Sequence, residues 1–77
     1  MINFIIMKIR DIGLFLSRRR KVLGVNQKEL AQLCGVSEHA LCNLECGAGN
    51  PTLKLVTAVA ETLGLELNLK AIDIEAT

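Results

Sequence analysis

Apolar residues recur every three to four positions along four stretches of this chain, and after Gly64 they recur at every second position. The first spacing is that of helices resting one face on a core, and the second is that of a half-buried strand. In the first stretch Ile12, Phe15, Leu16 and Leu23 fall on one side, with Asp11 placed to cap the helix and Gly24 to end it. Asn26 opens the second stretch, and Glu29 three residues later completes a capping-box spacing. This second helix is predicted to bury Leu30 and Leu33, while Ala31 is small enough to let a neighbouring helix come close.

Gly35 follows at once and suits the left-handed backbone of a sharp turn. Val36 is then the natural plug of the elbow, and Ser37 caps a third helix. At roughly 100° per residue, Leu41 and Leu44 of that helix point to the core, His39, Asn43 and Cys46 point away, and Cys42 lies on the flank. The segment "GAGNP", from Gly47 to Pro51, reads as a loop. Thr52 caps a fourth helix with Val56, Val59, Ala60 and Leu63 inward, and Gly64 stops it. In "LELNLKA", Leu65, Leu67 and Leu69 alternate with Glu66, Asn68 and Lys70, which predicts a strand.

The 77 residues make one small domain whose core is modest, so self-association is expected from size alone. Hydrophobic residues are 51% of the chain, yet there is no Trp or Tyr and there are only two Phe, so the core is aliphatic. The opening "MINFIIMKI" is apolar but far shorter than a membrane span, and it lacks the basic residues that precede a signal peptide's apolar core. Met7 is a second candidate start, which makes residues 1–6 an upstream extension or an extra strand. The resulting division is an N-terminal extension over 1–10, a helical domain over 11–64, and a strand with a tail over 65–77.

A net charge of +1 conceals a strong polarity. From Lys8 to Lys28, seven basic residues oppose Asp11, leaving +6; from Glu29 onward, Lys54 and Lys70 oppose seven acidic residues, leaving −5. A basic end of this kind suits a phosphate backbone, whereas the bland alternative is a solvated helix face.

The three cysteines, Cys34, Cys42 and Cys46, are odd in number and lack an oxidising context, so free thiols are expected. Cys34, near Leu33 at a helix end, reads as a small buried hydrophobe. His39, Cys42 and Cys46 share a helix side, but without a C-x-x-C spacing or an evident fourth ligand no metal and no cofactor is expected. A thiol redox switch is a separate alternative. No nucleophile, base and orienting group come together, and there is no phosphate loop, so the chain is not expected to be an enzyme.

Two short helices joined by a tight glycine turn form a helix-turn-helix. The stretch "RRRKVLGVNQKELAQLCGVSEHALCNLECGAGNPTL" resembles the Xre/Cro group of phage and bacterial repressors, with similarity over residues 12–64. The elements that carry the resemblance are Arg20 ahead of Gly24, "NQ" at Asn26 and Gln27, "ELA" at Glu29 to Ala31, "GVS" at Gly35 to Ser37, and "LECG" followed by "NPTL". The implied fold is mainly α: a four-helix, lambda-repressor-like domain with a C-terminal β-strand available for an intermolecular sheet.

The resemblance also implies roles. Gln27 would hold a phosphate and reach a base edge, and Glu38, His39 and Asn43 would face the bases. Arg20, Lys21, Lys28 and Ser37 would contact phosphates, with Arg20 paired to Glu45 and positioned by it. Asn and His have the hydrogen-bonding groups that readout requires. The implied protein is a cytoplasmic repressor that binds double-stranded DNA at a palindromic operator as a homodimer joined through Leu65, Leu67 and Leu69. The segment "LGLELNLKAI" is similar to antitoxins of the HipB type, which implies an autoregulator with a HipA-like, kinase-like toxin as partner. The alternatives are a stand-alone repressor and an interaction module without DNA affinity.

Overall fold

The described residues form four helices: α1 (Ile9–Val22), α2 (Gln27–Cys34), α3 (Glu38–Cys46) and α4 (Leu53–Thr62). They are seen in a computed structural model that describes residues 9–69 and 71. At eight and nine residues, α2 and α3 are too short to persist in isolation, so caps and packing must hold them. Each has the cap its sequence predicts. The Asn26 side-chain oxygen Oδ1 accepts from the Glu29 backbone N–H at 2.8 Å while the Glu29 carboxylate accepts from the Asn26 backbone N–H at 2.9 Å, a complete capping box. Ser37 Oγ accepts from Ala40 N at 3.0 Å, and Thr52 Oγ1 accepts from Leu55 N at 3.1 Å.

Gly35 adopts φ 71° at the end of α2, a conformation that turns the chain sharply into α3. Val36 then packs on the core as the elbow plug. That core is aliphatic: Leu16, Leu30, Ala31, Leu41, Leu44, Val56, Val59, Ala60 and Leu63 are all buried. At about 25 cal/mol per Å² of apolar area, burial of this kind is the main source of stability.

Several expectations are corrected by the packing. Leu33 is 69% exposed, because the arc of α2 that meets its neighbours runs through Leu30, Ala31 and Cys34, and Leu33 lies roughly a quarter turn or more from its middle. Phe15 is 54% exposed for the same kind of reason, since α1 presents Gly13, Leu16 and Arg20 inward. Leu23 falls beyond the last turn of α1 and is also exposed. The helix α1 spans Ile9–Val22, so Ile9 and Arg10 are helical, and Asp11 sits within the first turn and is not the cap.

No strand is present among the described residues. Leu65 packs against the core and its amide donates to Ala60 O at 2.8 Å, but residues 66–69 run on without a partner strand. A ladder needs a second row of backbone donors and acceptors, and the single chain offers none here among the described residues. The possible N-terminal strand, residues 1–8, lies outside the described residues, as do Lys70 and residues 72–77.

Close contact between α1 and α3 positions the rest. A Cβ on Gly13 would overlap the Leu44 carbonyl oxygen, so α1 lies directly on the backbone of α3. This approach requires glycine at position 13.

Candidate nucleic-acid interface

Arg20 follows Leu16 by four residues, so the helix that buries Leu16 also carries a guanidinium inward. A buried charge must be paired. Glu45 lies on the inward face of α3 beside Leu41 and Leu44, and it supplies the partner. Arg20 Nε donates to Glu45 Oε2 at 2.7 Å and Nη2 donates to Oε1 at 2.9 Å, while Nη1 donates to Val25 O at 2.8 Å. Gln27 Nε2 adds a donation to Glu45 Oε1 at 3.0 Å. One carboxylate thus ties α1, the turn after it, and the start of α2 to α3.

The electrostatics follow from this geometry. Burial pushes the Glu45 carboxyl up, but hydrogen bonds from Arg20 and Gln27, the charge of Arg20 and a hydrogen bond from Ser17 outweigh it and hold the group below the ordinary carboxylate value. The Arg20 guanidinium is correspondingly raised, chiefly by its hydrogen bond to Glu45.

The expected pairing of Arg20 with Glu45 is present; the side chains are only 10% and 5% exposed, and three Arg20 donors are committed inside the protein. Arg20 thereby positions α1 against α3. Arg19 is also engaged, since its Nε donates to Leu63 O at 3.1 Å and secures the end of α4 to α1. Arg18, Lys21 and Lys28 remain exposed or partly so.

The other sequence-predicted residues gather around α3. Gln27, the first residue of α2, is half-buried, with its amide nitrogen turned to Glu45. Ser37, Glu38 and His39 are exposed at the start of α3, and Asn43 is half-buried one turn after His39. The Asn43 amide nitrogen lies 3.3 Å from His39 Nε2. Cys42 and Cys46 are free thiols on the same helix, and the Cys46 thiol is raised, chiefly by its hydrogen bond to Cys42. Cys34 is half-buried, and its thiol donates to Ala58 O at 3.9 Å. Among the described residues no three His, Cys, Asp or Glu side chains form a metal-holding group. No helix among them is long and apolar enough to cross a membrane.

Sequence reasoning did not single out Gly13 or the Arg19 contact. A glycine inside an otherwise helical pattern is a signal of close packing, so Gly13 was findable. The Arg19 contact had no local signal.

An elbowed pair of helices, with the second presenting an exposed polar start at Ser37, Glu38 and His39, is the arrangement of a DNA-binding transcriptional regulator. Residues 16–70 match the family described as Helix-turn-helix, and the chain belongs to that family as an Xre-type member. It is also similar to a protein of Methanothermobacter thermautotrophicus named "Uncharacterized HTH-type transcriptional regulator", at 43% identity over 47 residues that cover 61% of this chain and 68% of that protein.

Proposed function

We propose that this chain is a sequence-specific transcriptional repressor that acts by occupying a palindromic operator as a homodimer and catalyses no reaction. The observation that carries this reading is the Glu45 node. By fixing α1, α2 and α3 to one another, it holds the outer face of α3, with Glu38, His39 and Asn43, in one orientation. A recognition helix needs that rigidity to enter the major groove in a defined register. Gln27, Lys21, Lys28 and Ser37 would meet the phosphates on either side of it, and Lys21, Lys28 and Ser37 are exposed. Two copies would set their α3 helices about 34 to 36 Å apart, one turn of DNA.

Within this reading the chain is an antitoxin-type autoregulator working in the cytoplasm, whose protein partner is a kinase-like toxin of the HipA type. A toxin-like reading frame beside its own is the expected genomic setting; without one, the chain is a stand-alone repressor.

Selection from a random duplex library, followed by binding measured against salt, tests the proposal. Lys21→Ala and Lys28→Ala should weaken binding to all sequences and flatten the slope of log K against log salt by about 0.9 for each phosphate no longer neutralised. Changes at Glu38, His39 or Asn43 should instead alter which sequences are enriched. Enrichment of no sequence by the unaltered protein would overturn the reading.

A further inference from the structure

We propose that His39 and Asn43 read DNA as one coupled unit, in which the Asn43 amide fixes the His39 ring with its proton on Nδ1. The inference rests on the DNA-binding reading above and deepens it by assigning the hydrogen-bonding pattern of the recognised bases.

The geometry is one helical turn of α3. His39 and Asn43 are four residues apart, so their side chains meet on the same face, and Asn43 Nδ2 lies 3.3 Å from His39 Nε2. An amide nitrogen only donates. Nε2 must therefore accept, and a neutral imidazole with an accepting Nε2 carries its single proton on Nδ1. The pair then has a fixed polarity: His39 offers an N–H donor at Nδ1, and Asn43 offers its carbonyl oxygen as an acceptor together with the second N–H of its amide.

That polarity selects among base edges. In the major groove a purine N7 accepts, and the exocyclic amino groups of adenine N6 and cytosine N4 donate. The structure thus assigns a base acceptor (a purine N7, guanine O6 or thymine O4) to His39 and an amino group of adenine or cytosine to the Asn43 carbonyl oxygen. Within the unit the orientation of the Asn43 amide is set by His39, whereas Asn43 acting alone can turn to whichever base edge offers the better pair. Removing His39 frees the Asn43 amide to turn. Removing Asn43 frees His39 to change tautomer, so its own hydrogen bond to the base suffers as well.

Two measurements test the unit, and the first needs no DNA. Long-range nitrogen NMR of the free, full-length chain with the ring neutral should place the His39 proton on Nδ1, and Asn43→Ala should move it toward Nε2. A proton on Nε2 in the unaltered protein would sink the proposal. The second measurement is selection from random duplexes, then affinity for the selected site, with His39→Ala, Asn43→Ala and both together. His39→Ala should broaden the base preference at the Asn43 position, and an unchanged preference there would overturn the coupling. Each single variant should lose about 10-fold in affinity, and the double variant should also lose on the order of 10-fold, well short of the roughly 100-fold product expected of independent contacts. The full product would overturn the coupling while leaving the repressor reading intact. Failure of the unaltered protein to enrich any sequence would overturn the repressor reading and the base assignment with it, whatever the tautomer.

Discussion

Arg20 and Glu45 meet as a two-point pair, Nε to Oε2 at 2.7 Å and Nη2 to Oε1 at 2.9 Å, although 25 residues separate them in the chain. The pair closes α1 onto α3 from the inside. Removing one partner strands the other as a buried, uncompensated charge, which typically costs about 3–5 kcal/mol. The whole stability of a domain this small is on the order of 3–5 kcal/mol. Arg20→Ala is therefore expected to lose most of its cooperative urea transition at room temperature, whereas replacing both partners by apolar side chains, Arg20→Met with Glu45→Leu, should restore much of it. A single variant that unfolds at the unaltered midpoint would show that the pair contributes little.

The same carboxylate sets an acid limit. Because Glu45 in the folded chain is held below its ordinary value, its contribution is complete above the unfolded value of about 4.3 and is lost as pH falls through the lower folded value. Denaturation midpoints should thus be flat from neutral pH down to about pH 5 and decline below it. Glu45→Gln keeps the shape but has no proton to gain, so its midpoint should start lower and fall less steeply with acid. Parallel profiles for the two proteins would remove Glu45 from the acid transition.

Gly13→Ala opposes two effects of unequal size. Alanine raises intrinsic helix stability by about 1 kcal/mol over glycine. The added Cβ, however, would overlap the Leu44 carbonyl oxygen, a backbone atom that cannot swing aside. Forcing α1 off α3 in this way should cost about 1–3 kcal/mol net, lowering the thermal midpoint by roughly 4–8 °C for each kcal/mol. A midpoint that rises would mean that α1 and α3 are not so closely packed.

The C-terminal segment offers the clearest surface for self-association. Leu69 is 89% exposed, and Leu53 and Leu67 beside the same cleft are exposed too. If strand pairing between copies covers these leucines, Leu67→Asp combined with Leu69→Asp, or truncation after Gly64, should turn a dimer into a monomer in sedimentation and lower operator affinity. A truncated chain that stays dimeric and binds normally would reduce this segment to a tail.

The sequence by itself determined the features that depend on neighbouring residues. The capping box at Asn26 and Glu29, the caps at Ser37 and Thr52, the glycine elbow at Gly35 and the inward leucines of α3 were all legible, because each rests on interactions within about one helical turn. The partnership of Arg20 and Glu45 was legible only through resemblance to a family, since nothing near either residue names the other. What the tertiary structure decided was which arc of each helix a neighbour covers. That choice exposes Leu33 and Phe15, brings Gly13 onto the Leu44 carbonyl, and turns Arg19 to Leu63 and Arg20 inward. The alternation after Gly64 records a preference for an extended, half-buried segment, but a strand exists only where a second strand supplies its hydrogen bonds, and among the described residues of one chain it has no such partner.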